Sequence, residues 1–299
     1  MTTRFAAHDG TQLAYDEIGT GPPLVCLPGG PGRAVVYLED LGGLGDTHTL
    51  VRLDLRATGH SEVPPDPSSL RFDRMAADVE ALREHLGLAT LDLLAHSAGC
   101  LVAQAWASAH PERVGSLSLI TPTDMLQGGR REDVAQIRAA FSDQPWYDDA
   151  AQADAALKDA PPALQASLER ATRPFFYGRW DERTQQHAAS ADRQSSKRAQ
   201  LGFRAGLEDV DVPGLVAGLA KVTAPVLVVG GERDGLTGVA AVQRVANCFP
   251  RATTRVLPRA GHFPWIDEPE GFGSAVASFL GTLLRMASLL LTGRDGAPS

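Results

Sequence analysis

The chain has 299 residues, of which 43% are hydrophobic and 21% charged, an ordinary composition for a soluble globular protein. A formal net charge of -8, with no run rich in Lys and Arg, argues against a nucleic-acid partner. Residues 1–10 lack the apolar segment of a secretory signal, and no apolar run approaches the roughly 20 residues of a membrane span. We therefore expect a cytoplasmic protein without a membrane partner, of one large α/β domain or a core with an insertion.

The spacing of cysteine and histidine indicates no metal site. The three cysteines are scattered through apolar stretches, and the eight histidines form no His-Glu-x-x-His pattern, so buried free thiols are expected. The glycines near residue 30 are not followed by the Lys-Ser/Thr pair of a phosphate-binding loop. We predict neither a cofactor nor a bound nucleotide.

In chain order, short apolar runs alternate with segments of helical spacing. We predict eight strands, at residues 4–8, 12–18, 23–27, 49–53, 91–94, 114–120, 225–230 and 253–257. Between and after them we predict helices at residues 71–86, 98–109, 239–248 and 269–284. Alternation of this kind predicts a mostly parallel eight-stranded sheet with helices on both faces.

Residues 122–219 have a different texture, in which charged residues, alanines and prolines alternate without a strand pattern. We predict an inserted helical cap over the active site, with the core domain formed by residues 1–121 and 220–288 and a disordered tail at 289–299. Aromatic side chains of the cap are candidates to line a pocket, although packing between cap and core explains such residues equally well. The candidates for substrate binding are Trp146, Phe176 and Trp180, together with His96 and Phe263 of the core.

The most informative stretch is Ala-His-Ser-Ala-Gly at residues 95–99, which lies between a predicted strand and a predicted helix. This is the context of a nucleophile elbow, normally Gly-x-Ser-x-Gly, with Ser97 as the nucleophile. Asp234 and His262 each follow a later strand, so all three residues are expected at the carboxyl edge of one sheet. Asp124, just after the sixth strand, is the rival acid.

The order Ser97, Asp234, His262 resembles that of the α/β-hydrolase superfamily, and the resemblance covers residues from about 11 to 284. The closer resemblance is to the proline iminopeptidase branch, which carries His-Gly-Gly-Pro-Gly, then Asp-x-Arg-Gly-x-Gly-x-Ser, then the elbow. Here residues 28–32 are Pro-Gly-Gly-Pro-Gly and residues 54–61 are Asp-x-Arg-Ala-x-Gly-x-Ser, while residues 261–264 are Gly-His-Phe-Pro. Two positions depart from the pattern, Pro28 and Ala57.

The resemblance implies an α/β-hydrolase fold and an oxyanion hole formed by the backbone N–H groups of Gly30 and Ala98, with Gly29 as second choice for the loop donor. Ser97 would attack the substrate, His262 would take its proton, and Asp234 would orient the imidazole. Dehalogenases and epoxide hydrolases of this superfamily carry Asp at the position of Ser97, so those activities are disfavoured.

We expect a serine hydrolase acting on a small molecule or a short peptide, and the first hypothesis is an aminopeptidase. Peptidases of this branch use cap carboxylates to bind the free amine of the substrate, and the candidates are Glu169, Asp181, Glu182, Glu208 and Asp209. The alternative is an esterase, a lactonase or a carbon–carbon bond hydrolase of a small metabolite. A non-catalytic ligand receptor on the same fold is a third hypothesis, which measurable turnover would exclude.

Overall fold

The computed structural model describes residues 2–292, with side chains described through residue 281. These residues contain a single eight-stranded sheet. In chain order the strands are β1 Thr2–Ala6, β2 Gln12–Ile18, β3 Pro23–Leu27, β4 Thr49–Asp54, β5 Leu91–His96, β6 Val114–Ile120, β7 Val226–Gly231 and β8 Ala252–Leu257. Their order in space is β1-β2-β4-β3-β5-β6-β7-β8. The β1–β2 and β2–β4 pairs are antiparallel and the remaining pairs are parallel, which confirms the predicted sheet.

Helices cover both faces of the sheet and also form a separate group between β6 and β7. They are α1 Ala76–His85, α2 Gly99–Ala109, α3 Val134–Ala139, α4 Tyr147–Leu157, α5 Pro162–Ala171, α6 Glu182–Gln194, α7 Lys197–Phe203, α8 Val212–Leu219, α9 Ala240–Ala246, α10 Pro264–Asp267 and α11 Pro269–Thr292. Strand β3 explains why both faces need cover. Val25 and Leu27 pack into the apolar cluster beneath α1 and α2, while Leu24 and Cys26 pack into the cluster beneath α11.

Two helix boundaries differ from the predicted ones. The crossover helix begins at Ala76 rather than at residue 71, because the Arg71 side chain bonds Asp73 and the Gly206 carbonyl instead of facing helical neighbours. The last helix continues from Pro269 to Thr292, since neither Pro nor Gly occurs between Gly281 and Gly293. Residues 289–292 of the predicted tail therefore belong to α11, and residues 293–299 lie outside the described residues.

The segment between β6 and β7 contains helices and no named strand within the described residues. Its last helix, α8, packs on the core, so it makes contacts across the predicted domain boundary at residue 219, which stays a prediction. Apolar α8 residues such as Val212 and Leu215 pack on the core cluster, and Ser108 of α2 donates a hydrogen bond to the Leu215 carbonyl at 2.8 Å. No helix among residues 2–292 combines the length and apolar character needed to cross a membrane.

Candidate active site

Ser97 lies at the tip of the turn from β5 into α2. Its φ of +53° is a left-handed backbone conformation that non-glycine residues rarely adopt. The turn needs small neighbours, since a Cβ on Gly99 would overlap the carbonyl oxygen of Pro28. Ala95, which replaces the first glycine of the usual motif, is fully buried. Within residues 95–99, Ser97 is the position with a positive φ. The strand–turn–helix context predicted from residues 95–99 is present.

Three predicted side chains meet at the carboxyl edge of the sheet. The Ser97 hydroxyl is 2.8 Å from Nε2 of His262, and Nδ1 of the same imidazole is 2.9 Å from Oδ2 of Asp234. All three residues are at least nine-tenths buried, with 7%, 2% and 0% exposure respectively. Residues that follow three strands, far apart in the sequence, thus form one continuous series of hydrogen bonds.

The Asp234 carboxylate accepts several further hydrogen bonds. Its Oδ1 accepts from the backbone N–H of Leu236 at 2.8 Å and of Thr237 at 3.0 Å, and its Oδ2 accepts from the Thr237 hydroxyl at 2.6 Å. Burial raises the pKa of this carboxyl, but the charge of His262 and the hydrogen bonds from His262 and Thr237 together lower it below the usual value. Asp234 is therefore an ionised, rigidly held partner for the imidazole at neutral pH.

The rival acid, Asp124, is engaged elsewhere. Its Oδ2 accepts from Nε of Arg244 at 2.7 Å and from the backbone N–H of Arg130 at 3.3 Å. The imidazole of His262 bonds Asp234 instead. Of the two acids left open by the sequence, Asp234 is the one in contact with His262.

The two predicted oxyanion donors, the backbone N–H groups of Gly30 and Ala98, make no hydrogen bond among the described residues. Gly30 has a φ of +121°, and a Cβ there would lie 2.8 Å from the backbone nitrogen of Arg33, so only glycine suits the position. The second choice, Gly29, is occupied because its N–H donates to the Tyr37 hydroxyl at 2.6 Å. Gly30 and Ala98 are thus the predicted donors that remain available to an oxyanion.

A buried hydrogen-bond relay joins the glycine loop to the backbone of His262, and sequence reasoning missed it. The Tyr37 hydroxyl lies 2.6 Å from Nδ1 of His96, and Nε2 of His96 lies 2.9 Å from the His262 carbonyl oxygen. Because that carbonyl can only accept, Nε2 carries the proton, and Nδ1 accepts from Tyr37, whose oxygen accepts from Gly29. Burial, and then the charge of His262, hold the pKa of His96 well below its usual value, so the ring is neutral.

A cavity of about 130 Å³ opens beside Ser97, and we call it the inner cavity. Three predicted binding residues line it, namely His96, Phe176 and Phe263. Two others do not. Trp146 packs against Phe141 and Phe175 within the cap, and Trp180 packs on Tyr177, so both rings contribute to cap packing instead.

The charged groups along the inner cavity are basic, which sequence reasoning did not anticipate. Its described lining contains Arg33 and Arg173 and no carboxylate. Of the five cap carboxylates proposed to bind an amine, Glu169 lines an adjoining outer cavity of about 530 Å³ and the other four line neither cavity. Asp181 caps the N-terminus of α6 and pairs with Arg179, and Asp209 lies 3.7 Å from Arg71.

Comparison with known proteins identifies the family. The model of the alpha/beta hydrolase fold matches residues 22–269, so the chain belongs to the α/β-hydrolase family. It is 26% identical to a putative 2-succinyl-6-hydroxy-2,4-cyclohexadiene-1-carboxylate synthase of Bacillus subtilis, over 93% of this chain and 98% of that protein. It is also 22% identical to a proline iminopeptidase of Heyndrickxia coagulans, over 90% of this chain and 94% of the relative, which supports the predicted resemblance to that branch.

A solved structure with the same fold is an esterase from Exiguobacterium antarcticum. It superposes with a TM-score of 0.72 at 21% identity, covering 94% of this chain and all of that one. The relatives therefore agree on the fold and differ in the reactions that their names describe.

Proposed function

We propose that this protein is a serine hydrolase that cleaves small esters through an acyl-enzyme intermediate on Ser97. The observation that carries the proposal is the continuous hydrogen-bonded chain from the Ser97 hydroxyl through His262 to the buried carboxylate of Asp234. A serine hydroxyl is a weak nucleophile near neutral pH, and a base within hydrogen-bond distance, itself oriented by a third group, is what activates it.

In the proposed reaction, Oγ of Ser97 attacks the ester carbonyl carbon while Nε2 of His262 takes the hydroxyl proton. The negative charge that develops on the carbonyl oxygen is stabilised by the N–H groups of Gly30 and Ala98. The bond to the alcohol then breaks, and His262 returns the proton to the leaving oxygen. Water hydrolyses the acyl-enzyme by the same steps, so the products are one carboxylic acid and one alcohol. Asp234 fixes the imidazole tautomer and stabilises the imidazolium.

The lining of the inner cavity favours an ester over a peptide with a free N-terminus. An aminopeptidase has to bind the ammonium group of its substrate, and the charged side chains in the described lining are the guanidinium groups of Arg33 and Arg173. Like charges in a confined site repel. The aminopeptidase stays a second candidate because a relative aligned along most of this chain is a proline iminopeptidase.

The test compares the purified protein with its Ser97→Ala and Asp234→Asn variants on an aryl ester and on proline and alanine arylamides. Ester hydrolysis is expected to fall by about 10⁶-fold in Ser97→Ala and by about 10⁴-fold in Asp234→Asn, the scales seen when the nucleophile or the charge of the acid is removed from such a triad. Asp148→Asn, on the exposed first turn of α4, is the matched control and should leave the rate unchanged.

The arylamides decide between the two candidates. Cleavage of the proline arylamide that depends on Ser97 and exceeds ester cleavage would replace the esterase proposal by the aminopeptidase. Equal rates in the parent and the Ser97→Ala variant would refute the role of Ser97 on any substrate. A protein that turns over none of the substrates would contradict the proposed function and favour a ligand receptor.

A further inference from the structure

Arg33 is a buried cation without an acidic partner beside the reacting hydroxyl. Its side chain lines the inner cavity together with Ser97 and is 5% exposed. Among the described residues no carboxylate lies within 4.0 Å of its guanidinium. The charge of Glu39 acts on Arg33 from farther away, and Glu39 is itself ion-paired with Arg183. Burying a charge without a counter-charge is costly, so this arrangement is a candidate binding feature.

The hydrogen bonds of Arg33 hold the guanidinium in place and leave part of it unused. Nε donates to Gln194 at 3.0 Å, and one terminal nitrogen, Nη2, donates to the His187 carbonyl at 3.2 Å and to the Ser190 hydroxyl at 2.9 Å. The other terminal nitrogen, Nη1, makes no hydrogen bond within the described residues. It is also not one of their solvent-inaccessible polar atoms that lack a partner, so it keeps some accessible surface. It is therefore open to a ligand.

A tyrosine ring and a second guanidinium surround Arg33. The guanidinium carbon of Arg33 lies 4.1 Å from the centre of the Tyr37 ring, which fixes its orientation. Arg173 lines the same cavity and is ion-paired with Asp192 at 2.5 Å, which leaves Arg33 as the cation there without an acidic partner among the described residues. Burial lowers the pKa of Arg33, and the charge of Arg173 acts in the same direction. A bound anion would relieve both effects.

The outer cavity is also basic, and it shares Gly30, Arg173 and Phe176 with the inner one. Its lining contains five basic and two acidic side chains, and one acidic side chain, Asp154, is paired with Arg138 at 2.5 Å. Arg131, Lys197 and Arg204 have no ion-pair partner among the described residues. An outer cavity with this positive charge raises the local concentration of anions.

We propose that the substrate is an anionic ester whose acyl group ends in a carboxylate, and that Arg33 binds this carboxylate in the inner cavity while the alcohol part lies toward the outer cavity. This inference rests on the proposed esterase function and specifies its substrate class. A cavity of about 150 Å³ holds a benzene molecule, so the inner cavity of about 130 Å³ suits a short acyl chain. The substrate class is thus the half ester of a short dicarboxylic acid.

The test measures kcat/KM for two methyl esters of matched shape, monomethyl succinate and methyl 4-methylpentanoate, in which an isopropyl group replaces the carboxylate. The parent protein is expected to prefer the half ester by about ten- to a hundredfold, the range for a hydrogen bond to a charged group. Arg33→Gln should abolish that preference. Arg255→Gln, an exposed position on β8, removes the same charge away from the cavity and should keep the parent preference.

Arg33→Lys guards against a folding defect in the Gln variant, because it keeps the charge and loses the planar fork. It is expected to show a preference between those of the parent and the Gln variant. Ester hydrolysis that requires Ser97 but shows no preference for monomethyl succinate, or a preference that survives both Arg33 substitutions, overturns the inference and leaves the esterase proposal intact. Failure to hydrolyse either methyl ester or the aryl ester contradicts the esterase proposal itself.

Discussion

The Tyr37 hydroxyl is the group on which the relay between the glycine loop and His262 depends, so Tyr37→Phe is an informative perturbation. The residue is 2% exposed, and its oxygen accepts from Gly29 while its proton goes to His96, both at 2.6 Å. Removing the oxygen leaves one buried donor and one buried acceptor unpaired, at about 1–3 kcal/mol each. We expect the free energy of unfolding to fall by about 2–6 kcal/mol.

The same change should act on catalysis through position rather than chemistry. Gly29 precedes Gly30, the proposed oxyanion donor, so a displaced loop should weaken that donor, and loss of one donor costs about 10²–10³ in kcat. Urea unfolding and ester kinetics measure the two effects, with KM changing less than kcat. Tyr147→Phe is the matched control, since its hydroxyl makes no hydrogen bond among the described residues. An unfolding free energy within about 0.5 kcal/mol of the parent and an unchanged kcat would refute the reasoning.

Two buried carboxylates give the remaining predictions. Burial raises the pKa of Asp267 to about 6, although two backbone N–H groups bond its Oδ2. Because the folded protein holds this proton more tightly than the unfolded chain, parent stability should fall by up to about 3 kcal/mol as pH rises from about 4 to above 6. Asp267→Asn keeps a hydrogen-bond acceptor but does not titrate, so its stability should not fall over this pH range. Urea unfolding at pH 4.5 and 7.5 measures both proteins, and a stability difference between parent and variant that is the same at the two pH values would contradict the prediction. Asp78 is fully buried and bonds Arg56 through both oxygens, so Asp78→Ala should cost about 3–5 kcal/mol in the same assay, whereas exposed Asp159→Ala should cost almost nothing.

The sheet could be predicted closely because its strands are apolar runs bounded by residues that end them. β3 and β6 have the predicted limits, since β3 ends before Pro-Gly-Gly and β6 before Thr-Pro. Parallel strands of one sheet bring their carboxyl ends to one edge. That rule is enough to expect Ser97, Asp234 and His262 together, although residues of widely separated strands make up the group.

The residues that sequence reasoning missed depend on contacts between distant segments. Tyr37 reaches His96, 59 positions away, and Arg33 reaches Gln194, 161 positions away. Neither belongs to a motif, and both follow the glycine loop on a segment without apolar periodicity. Their one local signal is proximity to that loop, since Arg33 and Tyr37 follow Gly30 by a few residues and line the same cavity. The cap residues Trp146 and Trp180 line neither the inner nor the outer cavity. Aromatic content alone does not distinguish packing from binding, so their predicted role in binding stays a prediction.

The charge of the whole chain predicts little about the charge of its site. With 36 acidic and 28 basic residues the protein is negative on average. This average describes the surface as a whole and carries no information about a single cavity. The sign within a cavity depends on a handful of side chains, and low-dielectric walls strengthen their field over that of the distant surface. Arg33 and Arg173 line the inner cavity, while acidic cap residues such as Asp181 are bound to helix ends and neighbouring arginines. An acidic protein can therefore hold a site that selects anions. Its negative charges lie far from the site, so they weaken the long-range attraction of anionic substrates rather than their binding in the cavity.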